Sequence, residues 1–313
     1  MNIFKTLALC LLIAAGFSTP MRAHGDGQFV HADLMASMQP GDKAALLVVH
    51  FGTTHDDTRA LTLDAITERM RREFPSLEVR EAYTSRIVMR RLGERGIRKL
   101  NPVQALAGLL TDGYTHVIIQ STNVIDGIEM ESLRRDAAQM APLFKEIRIG
   151  TPLLYAPDDY RQVIRALSEQ ETGGAFTLLI GHGTYTPTTA QYAMLDYILH
   201  ASGHEDYAVA TVEGYPSLDD ALAYVRKQKK VRRLRLVPFM LVAGDHAKND
   251  IASEMRERLE REGYEVEVVL EGLGQQEAIQ DIFVAHARFM LTHRLQDIQA
   301  KKKAYAAGQD KSE

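Results

Sequence analysis

From Lys43 onward, the sequence alternates between short strand-like segments, among them the continuous apolar run 44–49, and longer segments with helical spacing, and it does so twice. The strand-like segments cover 44–49, 77–83, 116–120 and 147–150, then 176–180, 208–212, 234–238 and 266–270. The helical segments cover 58–74, 86–95, 103–111 and 129–140, then 158–169, 188–201, 218–228, 247–262 and 275–295. Continuous apolar runs are typical of strands buried on both faces, and their alternation with helices is typical of parallel sheets. The sequence therefore predicts an α/β fold with helices on both faces of each sheet.

An internal similarity supports two related halves. Residues 46–53 read Leu-Leu-Val-Val-His-Phe-Gly-Thr, and residues 178–184 read Leu-Leu-Ile-Gly-His-Gly-Thr. Further along, 117–127 is loosely similar to 234–245, in the same order. We therefore predict two similar α/β lobes, each with a parallel sheet, that face each other across a cleft. Two prolines interrupt the pattern near 151–157 and place the boundary there.

The predicted organisation has five parts. It consists of a signal peptide (1–23), a first lobe (43–155), a second lobe that carries a metal site (156–274), a C-terminal helix able to pack on the first lobe (275–295) and a polar tail expected to fray (296–313).

The N-terminus has the layout of a secretory signal. A basic residue, Lys5, precedes the apolar stretch 6–17, and Ala23 is the expected last residue before cleavage. The stretch is too short to span a bilayer, so we expect no membrane span in the mature chain and a periplasmic location. Cys10, the one cysteine, lies inside the signal, and the bulky Leu9 before it argues against lipidation. The mature chain therefore has no disulfide and depends on its core.

Charge and absent motifs narrow the function. A formal net charge of −4 gives no basic excess for nucleic-acid binding. Neither G-x-x-x-x-G-K-[ST] nor a post-strand G-x-G-x-x-G is present, so a nucleotide is not expected. The G-x-S-x-G nucleophile elbow and the H-E-x-x-H zinc motif are also absent.

Three residues with metal-ligating side chains follow strands of the second half. His182 lies between two glycines, Glu213 comes directly after Val-Ala-Thr-Val, and His246 follows Gly244-Asp245. The carboxyl ends of parallel strands meet at one edge of a sheet, so these side chains can converge on a divalent cation. We expect Glu213 to be partly buried and to need a cation or a donor. His182 could instead be a turn histidine, and Asp245 a helix N-cap or a partner that orients His246.

Other candidates have two interpretations each. His50 mirrors His182, and His55 lies in a polar loop; both fit a loop or core role better than a ligand role. Arg86, Arg90 and Arg91 cluster at a helix start, where they form either a solvated face or a clamp for substrate carboxylates.

Several motifs resemble the anaerobic cobaltochelatases of the CbiK type, in the order of that family. They are Phe51-Gly52-Thr53, Tyr83-Thr84-Ser85-Arg86, 124–129, 181–184, 211–214 and 242–250. The resemblance spans nearly all of 43–291. It implies a class II chelatase fold, with two lobes around four-stranded parallel sheets and an active cleft between them. It also implies insertion of Co²⁺ into the tetrapyrrole sirohydrochlorin without ATP, by a metal-binding triad that matches His182, Glu213 and His246.

The resemblance also frames the alternatives. Arg86 and Asn123 are the candidate contacts for the tetrapyrrole. Asn123 stands where some periplasmic members carry a haem-binding histidine, which argues against axial haem ligation. Fe²⁺ or Ni²⁺ could replace Co²⁺, since His-Glu-His does not select among divalent metals. The alternative functions are a periplasmic ferrochelatase-like enzyme and a non-catalytic metal or tetrapyrrole carrier. A homo-oligomer is compatible with the sequence.

Overall fold

The computed structural model describes residues 28–169, 173–228, 230–244 and 247–307. The predicted signal peptide, residues 1–23, therefore lies outside the described residues. The described chain begins with a short strand, β1 (Phe29–His31), and a one-turn helix, α1 (Leu34–Ser37).

The first sheet has four parallel strands in the order β3-β2-β4-β5. These strands are β2 (Ala44–His50), β3 (Glu78–Tyr83), β4 (His116–Ser121) and β5 (Glu146–Ile149). The helices between them are α2 (Asp56–Arg59), a π-helical turn (Ala60–Asp64), α3 (Ala65–Glu73), α4 (Arg86–Glu94), α5 (Pro102–Thr111) and α6 (Ile128–Met140), the last followed by a 3₁₀ turn (Ala141–Leu143).

The second sheet repeats this arrangement in the order β7-β6-β8-β9, again fully parallel. Its strands are β6 (Phe176–Gly183), β7 (Tyr207–Glu213), β8 (Arg233–Phe239) and β9 (Glu265–Val268). The remaining helices are α7 (Pro157–Ser168), α8 (Ala190–Ala201), α9 (Leu218–Val225), a π-helical segment (Ala247–Met255), α10 (Arg256–Arg261) and α11 (Glu277–Thr292), with 3₁₀ turns at Pro187–Thr189 and Leu273–Gln275.

The predicted fold class is confirmed, because both sheets are parallel, four-stranded and covered by helices. The central strand β2 shows why the run 44–49 is apolar at every position. Leu46 and Val48 face one apolar cluster, whereas Leu47 and Val49 face another on the opposite side of the sheet. A strand buried on both faces does not alternate between polar and apolar residues.

One continuous core joins the two halves. The cluster that contains Leu46 also includes Leu179 of β6 and Tyr192 of α8. Gln191 adds polar links, since its Nε2 donates to the Leu154 carbonyl at 2.6 Å and its Oε1 accepts from the Asp126 amide at 2.8 Å. The carboxyl edges of the two sheets are thus held in a fixed relation.

The two ends of the described chain form structure that the sequence did not predict. Strand β10 (His293–Leu295) pairs antiparallel with β1. The polar tail, expected to fray, contains helix α12 (Ile298–Ala306), which Asp297 caps; residues 308–313 of the tail lie outside the described residues. The Asp297 side chain caps this helix by accepting hydrogen bonds from the Gln299 and Ala300 amides. None of the helices in the described ranges is both long and apolar enough to cross a membrane.

Candidate functional site

His182 and Glu213 lie side by side at the carboxyl ends of β6 and β7. The register that pairs Gly183 with Glu213 aligns the two strand ends. The Nδ1 atom of His182 lies 3.5 Å from Oε1 of Glu213 and 3.2 Å from the carbonyl oxygen of Gly183. The structure thus brings two of the three predicted ligands together.

Both side chains are open to solvent. The His182 side chain is 45% exposed and the Glu213 side chain is 52% exposed. The expected partial burial of Glu213 was therefore wrong. The apolar residues before it are covered by the sheet, but Glu213 belongs to the last register pair, beyond the core. A hydrated cation can reach both groups from the same side.

The first glycine of the Gly-His-Gly segment makes room for a buried ring. A Cβ atom on Gly181 would lie 2.3 Å from Cε1 of Tyr192, a residue of α8 that is 2% exposed. Burial raises the pKa of Tyr192 to about 12, so its hydroxyl stays neutral. The absence of a side chain at Gly181 therefore allows α8 to pack directly against β6.

His246, the third predicted ligand, lies outside the described residues, as does Asp245. The neighbouring Gly244 is described, and a Cβ atom built there would lie 3.9 Å from Oγ1 of Thr53 and 4.0 Å from Cδ2 of His55. The chain after β8 therefore crosses to the loop after β2. Within the described ranges, no three His, Cys, Asp or Glu side chains form a group able to hold a metal ion.

The first-lobe histidines differ in environment. His50 is fully buried, with Nδ1 2.9 Å from Oγ1 of Thr122 and Nε2 2.9 Å from Oγ1 of Thr67. Burial lowers the pKa of His50 to about 3, so this histidine is neutral and belongs to the core, as expected. His55 immediately precedes α2, in the loop that Gly244 approaches.

Arg86 is the first residue of α4, directly after the carboxyl end of β3. Ser85 caps this helix by accepting a hydrogen bond from the Val88 amide at 3.3 Å. Arg86 is exposed and makes no ion pair with the described residues. A cation at a helix N-terminus opposes the helix dipole, which disfavours a purely structural role.

Asn123 lies in the loop after β4 and is half-buried. Its amide donates to Oγ of Ser121 at 3.1 Å, and its carbonyl accepts from the Leu153 amide at 2.9 Å. Arg86 and Asn123 thus belong to the carboxyl edge of the first sheet, whereas His182 and Glu213 belong to that of the second.

Exposed apolar side chains follow the same strand ends, a feature that the sequence patterns did not single out. Phe51 is 47% exposed directly after β2, Tyr185 is 81% exposed after β6, and Tyr215 is 53% exposed after β7. Ile87 and Ile128 are exposed at the starts of α4 and α6. Exposed aromatic residues close to convergent polar groups are typical of a surface that binds a flat apolar ligand.

The chain is similar in sequence to known proteins over most of its length. The family model for cobalt chelatase (CbiK) matches residues 44–291. A sirohydrochlorin cobaltochelatase of Salmonella typhimurium is 37% identical over 252 residues, covering 78% of this chain and 95% of the relative. The sirohydrochlorin cobaltochelatase CbiKC of Nitratidesulfovibrio vulgaris is 30% identical over 262 residues, covering 79% of this chain and 90% of the relative.

Solved structures share the fold. SirB from Bacillus subtilis with Fe³⁺ superposes with a TM-score of 0.58 at 14% identity. The sirohydrochlorin chelatase SirB from Bacillus subtilis subspecies spizizenii in complex with cobalt gives a TM-score of 0.56 at 15% identity. Each match covers 79% of this chain and 94% of the other. At these identities the structures establish the architecture alone.

Proposed function

This chain belongs to the cobalt chelatase (CbiK) family, and on that premise we propose that it inserts Co²⁺ into sirohydrochlorin where His182 and Glu213 meet. The observation that carries the proposal is their juxtaposition at aligned strand ends, with Nδ1 and Oε1 3.5 Å apart. Insertion exchanges two pyrrole protons for one metal ion, so the site must bind a cation and accept protons. An imidazole beside a carboxylate can do both.

The contacts of His182 favour one tautomer. Nδ1 lies 3.2 Å from the carbonyl oxygen of Gly183, which can only accept a hydrogen bond, so the proton is held on Nδ1. The lone pair then lies on Nε2, where it can bind the incoming metal or take a pyrrole proton. Glu213 contributes negative charge that attracts the cation. His246 completes the proposed ligand set.

The exposed apolar side chains supply a surface for the macrocycle. Tyr185 and Tyr215 lie on the loops that directly follow His182 and Glu213, so a tetrapyrrole packed on them would lie close to the proposed metal ligands. Arg86 is suited to meet carboxylates at the macrocycle rim.

An absorbance assay tests the proposal. Purified protein, sirohydrochlorin and Co²⁺, with Fe²⁺ and Ni²⁺ in parallel, are followed through the spectral change of the macrocycle without nucleotide. We expect turnover with Co²⁺ in the absence of ATP. Metal binding without any change in the tetrapyrrole spectrum would overturn the proposal in favour of a carrier, and faster turnover with Fe²⁺ than with Co²⁺ would overturn the choice of metal.

Substitutions test the role of each proposed metal ligand. His182→Ala should lower turnover about 100-fold, because a general base and a metal ligand are lost together. His246→Ala should have a comparable effect, and Glu213→Gln should weaken Co²⁺ binding about tenfold by removing the charge. The matched control is His31→Ala, a change of an exposed histidine on β1. Wild-type turnover in both His182→Ala and His246→Ala would contradict the assignment.

We also propose that the chain works in the periplasm after cleavage of residues 1–23. The support is the basic residue, apolar stretch and turn before Ala23. Fractionation of a bacterium expressing the full chain, followed by N-terminal sequencing, tests this. We expect a periplasmic product that begins at His24; a full-length product confined to the cytoplasm would contradict it.

A further inference from the structure

The loop that follows His182 and the loop that follows Glu213, here called the Glu213 loop, are in close backbone contact. A Cβ atom on Gly214 would lie 2.4 Å from the carbonyl oxygen of Thr184 and 2.9 Å from Oγ1 of Thr189. The loop after β7 therefore rests directly on the loop after β6. Small movements of one loop relative to the other change the separation of the imidazole and the carboxylate.

The Thr189 side chain bridges these loops with two hydrogen bonds. Its hydroxyl donates to the carbonyl oxygen of Tyr215 at 2.7 Å and accepts from the amide of the same residue at 3.0 Å. Tyr215 is two residues beyond Glu213. The Thr189 hydroxyl thus forms hydrogen bonds with both the amide and the carbonyl group of Tyr215, close to the proposed metal ligand Glu213.

The helix that follows does not use this hydroxyl. Thr189 occupies the N-cap position of α8, where a threonine side chain commonly accepts a hydrogen bond from the first helical turn. No such capping bond is present, and Thr189 has helical backbone angles of −51° and −26°. The hydroxyl is committed to Tyr215 instead, at the expense of the cap.

The Glu213 carboxylate needs such support from its backbone. Its side chain is 52% exposed, and its 3.5 Å approach to His182 is longer than a good hydrogen bond. Thr211 closes the same loop from within β7, since its Oγ1 and its amide both lie 2.8 Å from the Pro216 carbonyl. That contact fixes the shape of the loop, whereas the Thr189 contact fixes its position relative to β6 and His182.

We propose that Thr189 is a positioning residue for the metal site, which holds the Glu213 loop at the distance from His182 that binding of the substrate Co²⁺ requires. This inference rests on the proposed function. A substitution at Thr189 should weaken Co²⁺ binding more than it slows the later insertion step. Groups that orient metal ligands typically contribute about 10- to 100-fold to metal affinity or activity.

The test is Thr189→Val, which keeps the shape of the side chain and removes both hydrogen bonds. Thr189→Ser keeps the hydroxyl and should restore binding. The matched control is Thr188→Val in the same 3₁₀ turn, because the Thr188 hydroxyl makes no hydrogen bond to the described residues. The first readout is Co²⁺ affinity without tetrapyrrole, measured by calorimetry and by the visible absorbance of bound Co²⁺. The second is turnover at varied Co²⁺.

We expect Thr189→Val to weaken Co²⁺ binding about tenfold and to raise KM for Co²⁺ by a similar factor, with kcat changed less than about twofold. Thr189→Ser and Thr188→Val should bind like wild type. Unchanged affinity in Thr189→Val, or an equal loss in Thr188→Val, would overturn the inference. If the wild-type chain binds Co²⁺ but does not metallate sirohydrochlorin, the proposed function fails while the affinity comparison still tests Thr189.

Discussion

Gly183 and Glu213 are register partners whose backbones touch: a Cβ atom on Gly183 would lie 1.6 Å from the carbonyl oxygen of Glu213. Gly183 also has a φ of +86°, in the region that favours glycine. The close approach of β6 and β7 at the site therefore depends on the absence of a side chain here.

Gly183→Ala should displace the end of β7 and separate the carboxylate from the imidazole. We expect Co²⁺ insertion to fall by at least about tenfold, and the free energy of unfolding to fall by about 1–3 kcal/mol from strain and overpacking. Gly203→Ala is the control, because Gly203 has the same φ of +86° and a Cβ atom there would have no other atom within 4 Å. Urea unfolding and the absorbance assay measure the two effects; equal activity losses in both variants would contradict the close-contact explanation.

Arg86→Ala should weaken sirohydrochlorin binding while it increases the stability of the fold. Removing a cation from the first position of α4 relieves its unfavourable interaction with the helix dipole, so the free energy of unfolding should rise by about 0.3–1 kcal/mol at low ionic strength. KM for sirohydrochlorin should rise at the same time, because a carboxylate contact is lost. Arg72→Ala, a change of an exposed arginine in the last turn of α3, is the control. An unchanged KM with improved stability would leave Arg86 without a binding role.

Tyr185→Ser should weaken tetrapyrrole binding, because Tyr185 is the most exposed aromatic residue beside the site. Loss of one aromatic contact corresponds to about 0.5–1.5 kcal/mol, or roughly two- to tenfold in affinity. Tyr185→Phe should bind normally, since the ring is kept. Tyr197→Ser is the matched control: Tyr197 is 72% exposed on α8, compared with 81% for Tyr185. Fluorescence titration with sirohydrochlorin tests this; similar affinities for the two serine variants would refute it.

His50 should make stability depend on pH. Burial lowers the pKa of His50 to about 3, whereas an unfolded histidine titrates near 6.5. Between these values the unfolded chain binds one more proton at this residue, so its contribution to stability is present above about pH 6.5 and is lost progressively as the pH falls toward 3. His50→Gln removes the titrating group and keeps polar atoms near Thr67 and Thr122. Urea unfolding from pH 7 to pH 4 should show a shallower decline for this variant, and identical slopes would contradict the prediction.

The central strands of the two sheets could be predicted because most of their own residues are apolar. A run such as 44–49 is apolar at every position, since β2 is buried on both faces. Strand β6 extends beyond the predicted 176–180. Its last residues, Gly181 to Gly183, are two glycines and a histidine, which carry no strand signal. They belong to the sheet because they pair with β7 and β8. Local pattern determines the middle of a strand, and its neighbours determine the end.

The β1–β10 pair had no such signal. Its strands have three residues each and come from opposite ends of the described chain, and α11, which leads into β10, packs against β4 and α3. Arg148 stabilises the junction, since Nη1 of this buried side chain donates to the carbonyl oxygens of Ala32 at 2.7 Å and Met290 at 2.8 Å. Contacts between distant segments of this kind leave no periodicity in either segment.

Residue patterns alone predict the α/β class, the two similar halves and the strand ends at which His182 and Glu213 lie, because the central strands of a covered parallel sheet are mostly apolar. How those strand ends form a site depends on the packing of the folded chain. This packing brought the imidazole and the carboxylate 3.5 Å apart, left Glu213 open to solvent and gave Thr189 a partner in another loop. These are properties of strand register and loop packing, which depend on atoms far apart in the chain and are therefore not recorded in any local run of residues.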